Sequence, residues 1–113
     1  MTEGAQTIIY PVKDLASAKA VFIELLGKPY MDEVYYVGWQ VAGQDIGLDP
    51  NGHAKGMTGP VPYWNVADIH SSLKALVEAG AETVQEVKDV GAGKLVASVR
   101  EANGNPIGLI QPA

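Results

Sequence analysis

The chain has 113 residues, 47% of them hydrophobic, with 13 acidic and 8 basic side chains and a formal net charge of −5. That length supports one modest core rather than two independent domains. No apolar run approaches the roughly 18 residues of a membrane span; the best, Ala20-Val21-Phe22-Ile23, stops at Glu24. The absence of cysteine excludes disulfides and thiolate chemistry. No Lys/Arg cluster offsets the acidic balance, so nucleic acid and membrane are poor partners. The start, Met1-Thr2-Glu3-Gly4, has neither the basic nor the apolar region of a secretory signal, and a cytoplasmic location is expected.

In chain order, period-two alternation predicts a first strand over 7–12. Asp14 is a good N-cap for a helix whose apolar stripe is Leu15, Ala18, Phe22, Leu25 and Leu26. Gly27 and Pro29 end it. Strands follow over 34–42 and 45–49, with a turn at Gly43-Gln44. Residues 50–60 hold three glycines and two prolines and read as a linker. A strand over 61–66 then leads to a second helix capped by Asp68, with Ile69, Leu73, Leu76 and Val77 as its stripe and Gly80 as its stop. The last strands are expected over 82–88, 94–100 and 106–111, separated by Gly91-Ala92-Gly93 and Asn103-Gly104-Asn105.

The chain repeats itself. Val12-Lys13-Asp14-Leu15-Ala16-Ser17-Ala18 returns as Val66-Ala67-Asp68-Ile69-His70-Ser71-Ser72, and Ile46-Gly47-Leu48 returns as Ile107-Gly108-Leu109. Two copies are too few for a solenoid and read as a duplicated supersecondary unit. The expected organisation is an α+β single domain, residues 1–113. It comprises a first βαβββ module over 5–49, the linker 50–60 and a second βαβββ module over 61–112, with curved mixed sheets around a cleft.

These features together resemble the vicinal-oxygen-chelate superfamily, which contains glyoxalases, extradiol dioxygenases, fosfomycin-resistance enzymes and bleomycin-binding proteins. The carriers are Val12-Lys13-Asp14-Leu15 with Leu26-Gly27, Val66-Ala67-Asp68-Ile69 with Ala79-Gly80-Ala81, and Glu101-Ala102-Asn103-Gly104-Asn105-Pro106-Ile107, which is similar to the family's Asp-Pro-Asp-Gly-Asn turn. Metal-dependent members place histidine or glutamine on the first strand of each half and glutamate on the last. The positions of this sequence that match are Thr7, Val61, Gly47 and Gly108. Valine and glycine side chains carry no donor, and one threonine hydroxyl does not hold a divalent ion. The resemblance therefore implies a member with no metal and no cofactor.

Alternation assigns the faces of the strands. Ile8, Tyr10 and Val12 point under the first helix, and Thr7, Ile9 and Pro11 point to the cleft. Val61, Tyr63 and Asn65 face the cleft, while Trp64 goes with Val66 into the core beneath the second helix. Trp39 packs on the core with Tyr35, Val37 and Val41, leaving Tyr36 and Gln40 as cleft residues. Val96 and Ser98 join them. Gly47 and Gly108 are expected to enlarge the cleft where side chains are missing. The candidate ligand-binding set is thus Thr7, Ile9, Tyr36, Gln40, Gly47, Val61, Tyr63, Asn65, Val96, Ser98 and Gly108. No catalytic residue is assigned. His53 and His70 read as solvated residues without metal-ligand neighbours. Ser17, Ser71 and Ser72 read as backbone partners in first helical turns, and Arg100-Glu101 as a surface pair.

Three readings remain open. The first is a small-molecule-binding protein similar to the bleomycin-resistance branch, taking an aromatic or cationic compound without metal, as a homodimer. The second is a lyase, isomerase or dioxygenase-like enzyme with a shifted metal site or metal-free acid–base groups from Tyr36, Tyr63 or His53. The third is an interaction module whose cleft is closed by side chains. Fold alone does not choose among them.

Overall fold

Asp14 and Asp68 sit in extended backbone just ahead of a helix, and each accepts a hydrogen bond from the amide three residues on, Ser17 at 3.2 Å and Ser71 at 3.1 Å. Each carboxylate thereby satisfies a donor that a first helical turn leaves orphaned. The two caps start α1 (Leu15–Leu26) and α2 (Ile69–Glu78) in the computed structural model, which describes all residues from Met1 to Ala113. The left-handed Gly27 and Gly80, with φ of 84° and 115°, lie just past the two helix ends, where a Cβ would be strained.

Two units emerge. Gln6–Pro60 carries β1 (Thr2–Pro11, from Gln6 onward), α1, β2 (Met31–Glu33), β3 (Tyr36–Val41) and β4 (Gln44–Asp49), with strand order β2-β3-β4-β1. In it β1 runs parallel to β4, and the β2–β3 and β3–β4 pairs are antiparallel. Val61–Ala113, together with Met1–Ala5, carries β5 (Val61–Val66), α2, β6 (Glu82–Asp89), β7 (Leu95–Arg100) and β8 (Pro106–Gln111), in the order β6-β7-β8-β5. Here β5 is parallel to β8, and the other two pairs are antiparallel. Each unit is a βαβββ module with a mixed sheet, so the architecture is α+β.

Each helix covers one face of its own sheet. Val37, Trp39 and Leu48 are buried under α1 with Tyr10, Val12, Leu15, Ala18, Phe22, Leu26 and Ile46 around them. Phe22 is the keystone of this packing, with its ring 5.0 Å from Tyr10 and 5.8 Å from Trp39. The Trp39 indole donates to the Gly27 carbonyl at 2.7 Å, which ties the helix end to β3. Under α2 lie Val66, Ile69, Leu73, Ala97, Val99 and Leu109, joined by Leu76, Ala81, Val87, Leu95 and Ile107.

Several expectations are corrected. Leu25 is 75% exposed and Val77 42% exposed, because each sits on the flank of its stripe where the 3.6-residue period has turned it off the sheet. The segment expected as one strand over 34–42 is broken by a turn at Val34-Tyr35, and Met31–Glu33 pairs as a separate strand. The β3–β4 turn falls on Ala42-Gly43, both with positive φ (51° and 82°), as a two-residue hairpin with matched twist requires. Trp64 shares the face of Val66 but is 36% exposed, outside the packed cluster. Arg100 reaches Glu82 at 3.7 Å rather than Glu101. Glu101 instead accepts backbone amides from Asn103 and Asn105, both at 3.0 Å, and these bonds hold its pKa below the ordinary carboxylate value.

Residues 50–60 are pinned down rather than loose. Asp49, 4% exposed, accepts the Asn51 amide at 2.8 Å and pairs with Lys55 at 2.7 Å. The short 3-10 turn His53–Lys55 follows, and a Cβ on Gly52 would stand 2.7 Å from the Pro11 Cβ, so only glycine fits there. The packing of Phe22 generates the first prediction. Phe22→Ala should cost about 3 kcal/mol, the low end for a phenylalanine truncation because the ring is only half-buried. Urea denaturation checks this, and a loss below about 0.5 kcal/mol would place Phe22 outside the core.

Candidate functional site

Alternation leaves each sheet a second face, turned away from its own helix. In the Gln6–Pro60 unit, cross-strand partners on that face form two rows: Thr7, Asp45 and Gln40, then Ile9, Gly47, Gly38 and Met31. Tyr36 lies two residues before Gly38 on the same side. In the Val61–Ala113 unit the rows are Tyr63, Gly108, Ser98 and Gln85, then Asn65, Ile110, Val96 and Lys88. The structure therefore brings Thr7, Ile9, Tyr36, Gln40 and Gly47 onto one face of the first unit. It brings Val61, Tyr63, Asn65, Val96, Ser98 and Gly108 onto one face of the second.

The space expected above the two strand glycines is filled. A Cβ built on Gly47 would fall within the Tyr36 side chain, against its Oη and Cζ and 2.9 Å from its Cε1. A Cβ on Gly108 would stand 2.5 Å from Tyr63 Cδ1 and 2.7 Å from both Cγ and Cε1, so that ring lies on the glycine backbone. Each half thus has a tyrosine where a residue-47 or residue-108 side chain would project. The geometry differs in detail. Tyr36 reaches Gly47 with its hydroxyl end along a diagonal of the β3–β4 ladder, while Tyr63 sits directly opposite Gly108 in a parallel pair.

Exposure separates the two faces. Val61 (2%), Tyr63 (4%) and Ser98 (8%) are buried. On the first unit Gln40 is exposed, and Thr7, Ile9 and Tyr36 are half-buried. Two further residues belong to this more open face. The Tyr30 ring approaches the Cβ position of Gly38 at 3.2 Å, the same distance as Tyr36 Cε2, so two rings converge over one glycine. The Tyr30 amide donates to the Gly38 carbonyl at 3.0 Å, which fixes the ring's anchor to β3. Partial burial, and then the negative charge of Asp45, raise the Tyr30 phenol pKa above its ordinary value. Sequence reasoning missed Tyr30 and Asp45. The spacing of Asp45 two residues before Gly47, and thus on the same face, was the available signal.

The four positions matching the fold's metal ligands do not fit a divalent ion. Thr7 offers one hydroxyl and Val61 no donor, while the places of Gly47 and Gly108 are taken up by phenol rings. No group of three or more His, Cys, Asp or Glu side chains in the chain is placed to hold an ion. His53 and His70 are exposed, in the 3-10 turn and in the first turn of α2. Elsewhere, an open groove of about 550 Å³ runs between α2 and β6, with Leu73, Val77 and Val87 among its lining and His70, Lys74, Glu78 and Glu86 beside them.

Comparison of the sequence with models of protein families and with curated proteins gives no match. Solved structures do match. A glyoxalase/bleomycin resistance protein/dioxygenase superfamily member from Vibrio splendidus 12B01 superposes with a TM-score of 0.71 at 18% identity, over 94% of this chain and 97% of that one. The chain has the vicinal-oxygen-chelate fold. Methylmalonyl-CoA epimerase from Mycobacterium tuberculosis is similar, with a TM-score of 0.70 at 19% identity over 99% and 89% of the two chains. So is a Legionella pneumophila protein described as an NAD-dependent benzaldehyde dehydrogenase, with a TM-score of 0.74 at 11% identity over 95% and 98%. At these identities the likeness is one of fold, and the two descriptions that name an activity name unrelated ones. No helix of the chain is long and apolar enough to cross a membrane.

The tyrosine–glycine contacts generate an ordered prediction. Gly108→Ala meets the base of a buried ring and should destabilise by about 1–3 kcal/mol. Gly47→Ala meets the hydroxyl end of a half-buried side chain, the part farthest from its own backbone, and should cost clearly less. Urea melts of both variants check the order, and equal or reversed costs would contradict the ring placements.

Proposed function

We propose that this protein binds a small aromatic or cationic molecule on the helix-free face of the Gln6–Pro60 unit, and that it does so without a divalent metal. The observation that carries the reading is the placement of Tyr36 over Gly47 and of Tyr63 over Gly108. Two of the four positions that match the metal ligands of vicinal-oxygen-chelate enzymes, Gly47 and Gly108, are overlain by phenol rings, and the other two are Thr7 and Val61. What remains is apolar and aromatic surface with a few polar groups, the composition of a ligand site rather than of a metal-activating one. Of the candidate set, Gln40 is exposed and Thr7, Ile9, Tyr36, Asn65 and Val96 are half-buried, whereas Val61, Tyr63, Ser98 and Gly108 are buried. A homodimer is part of this reading, since a second chain would deepen an otherwise shallow surface.

The enzymatic reading has less to draw on. Of its three acid–base candidates, Tyr63 is only 4% exposed and His53 stands exposed in the 3-10 turn, leaving Tyr36. Two measurements on the full chain test the proposal. Excess chelator should leave the melting temperature of the purified protein unchanged. A library of small planar aromatic and amine probes should shift the backbone amide resonances of Thr7, Ile9, Gln40 and Gly47. Stoichiometric metal held by β1, β4, β5 or β8, or a library that moves only amides elsewhere, would overturn the proposal.

A further inference from the structure

On the reading that this face binds a small molecule, the geometry points to a specific class of ligand: we infer that Tyr30, Tyr36 and Asp45 form a site for an organic cation, an ammonium head carried on a small organic body. Three independent observations converge. First, Gly38 and Gly47 are cross-strand partners without side chains, which lets the Tyr36 ring lie directly on the sheet with the Tyr30 ring beside it. Secondly, Tyr30 Cε1 and Tyr36 Cε2 both come to 3.2 Å from the Gly38 Cβ position, which sets two aromatic rings about one point. Thirdly, Asp45 projects from β4 on the same face, two residues before Gly47 and across from Thr7 and Gln40.

The face of a phenol ring carries negative electrostatic potential and attracts a cation placed over it. The Asp45 carboxylate, near enough to Tyr30 to act on its phenol, adds direct charge complementarity. Tyr30 is 59% exposed, so an incoming ligand reaches its ring without unpacking the core. No ion pair is made by Asp45, whereas Asp32 and Asp49 on the same unit are already matched to Lys19 and Lys55. The formal charge of −5 favours approach of a cation from any direction. The Tyr30 phenol, its pKa raised by partial burial and then by the charge of Asp45, is neutral in the neutral range, as an ordinary tyrosine is. An anionic ligand would be repelled by Asp45, and a neutral one would gain no charge–charge attraction from it.

The test compares two isosteric probes, choline and the neutral 3,3-dimethylbutan-1-ol, by amide chemical-shift titration of the full chain. Choline should shift Gly38, Gln40 and Asp45 saturably, and the neutral probe should bind about two- to fivefold more weakly, the contribution expected of an exposed cation–π contact. Tyr30→Leu and Asp45→Asn should each weaken choline by a similar factor. Asp32→Asn, which breaks the Lys19 pair on the same unit, should leave it unchanged. Because Tyr30 and Asp45 lie outside the packed cores, retention of the remaining amide spectrum verifies that each variant is folded. Equal binding of the two probes would overturn the cation assignment while leaving small-molecule binding at this face intact. So would choline shifts that survive both substitutions. Failure of these probes together with the planar aromatic ones to move any amide on the face would sink both.

Discussion

A tyrosine ring laid on a strand needs the strand beneath it to have no side chain. That steric requirement governs both halves of this molecule. At Tyr63 the ring carbons nearest the backbone come within 2.7 Å of where a Cβ on Gly108 would be, a separation that no alanine tolerates without movement. At Tyr36 it is the hydroxyl end that lies over Gly47. Interiors are packed too tightly to absorb such overlaps cheaply. Glycine at 47 and 108 is therefore a condition of the aromatic packing, and the aromatic packing in turn occupies the space that a carboxylate would need. The rings that require glycine at 47 and 108 are thus the same rings that fill the places where side chains there would project.

The same constraint distributes accessibility. The second unit spends its tyrosine on closing its own face, and Val61 and Ser98 are buried with it. In the first unit the diagonal reach of Tyr36 leaves the ring half-buried. The neighbouring Tyr30 enters from the turn after α1 and is held by its backbone bond to Gly38. The two modules thus differ in accessibility: Tyr63 is buried in one, while Tyr36 is half-buried and Tyr30 exposed in the other. The pinning of residues 50–60 by Asp49, Asn51 and Lys55 keeps the end of β4 fixed, and with it the row in which Gly47 and Asp45 sit.

Much of this was legible in the sequence, and the limits were physical. Two aspartates at repeated positions announced both helix starts, because an N-cap is a local hydrogen bond that the residue carries with it. Alternation sorted Trp39 inward and Tyr36, Gln40, Tyr63 and Ser98 to the other face, because the period of a strand is two. Contacts that depend on reach across a ladder were not legible. Tyr36 meets Gly47 along a diagonal, and that diagonal follows only from a hairpin turn at Ala42-Gly43, one residue away from the expected Gly43-Gln44. Leu25 and Val77 were assigned to the inward stripes by their helical spacing, but they fall at the edges of those stripes and lie on the flank. Tyr30 lies in the irregular stretch before β2, where no periodicity marks it.

The most direct test of the account is a double-mutant cycle between Tyr63→Ala and Gly108→Ala, followed by urea denaturation, with the Tyr36→Ala and Gly47→Ala cycle alongside it. If the ring makes glycine obligatory, Gly108→Ala should be costly in the natural chain and nearly free once the ring is gone. That corresponds to a coupling energy of about 1–3 kcal/mol, and the second cycle should show a smaller coupling of the same sign. Additivity within about 0.5 kcal/mol in both cycles would mean that neither glycine answers to its tyrosine, and the account would be contradicted.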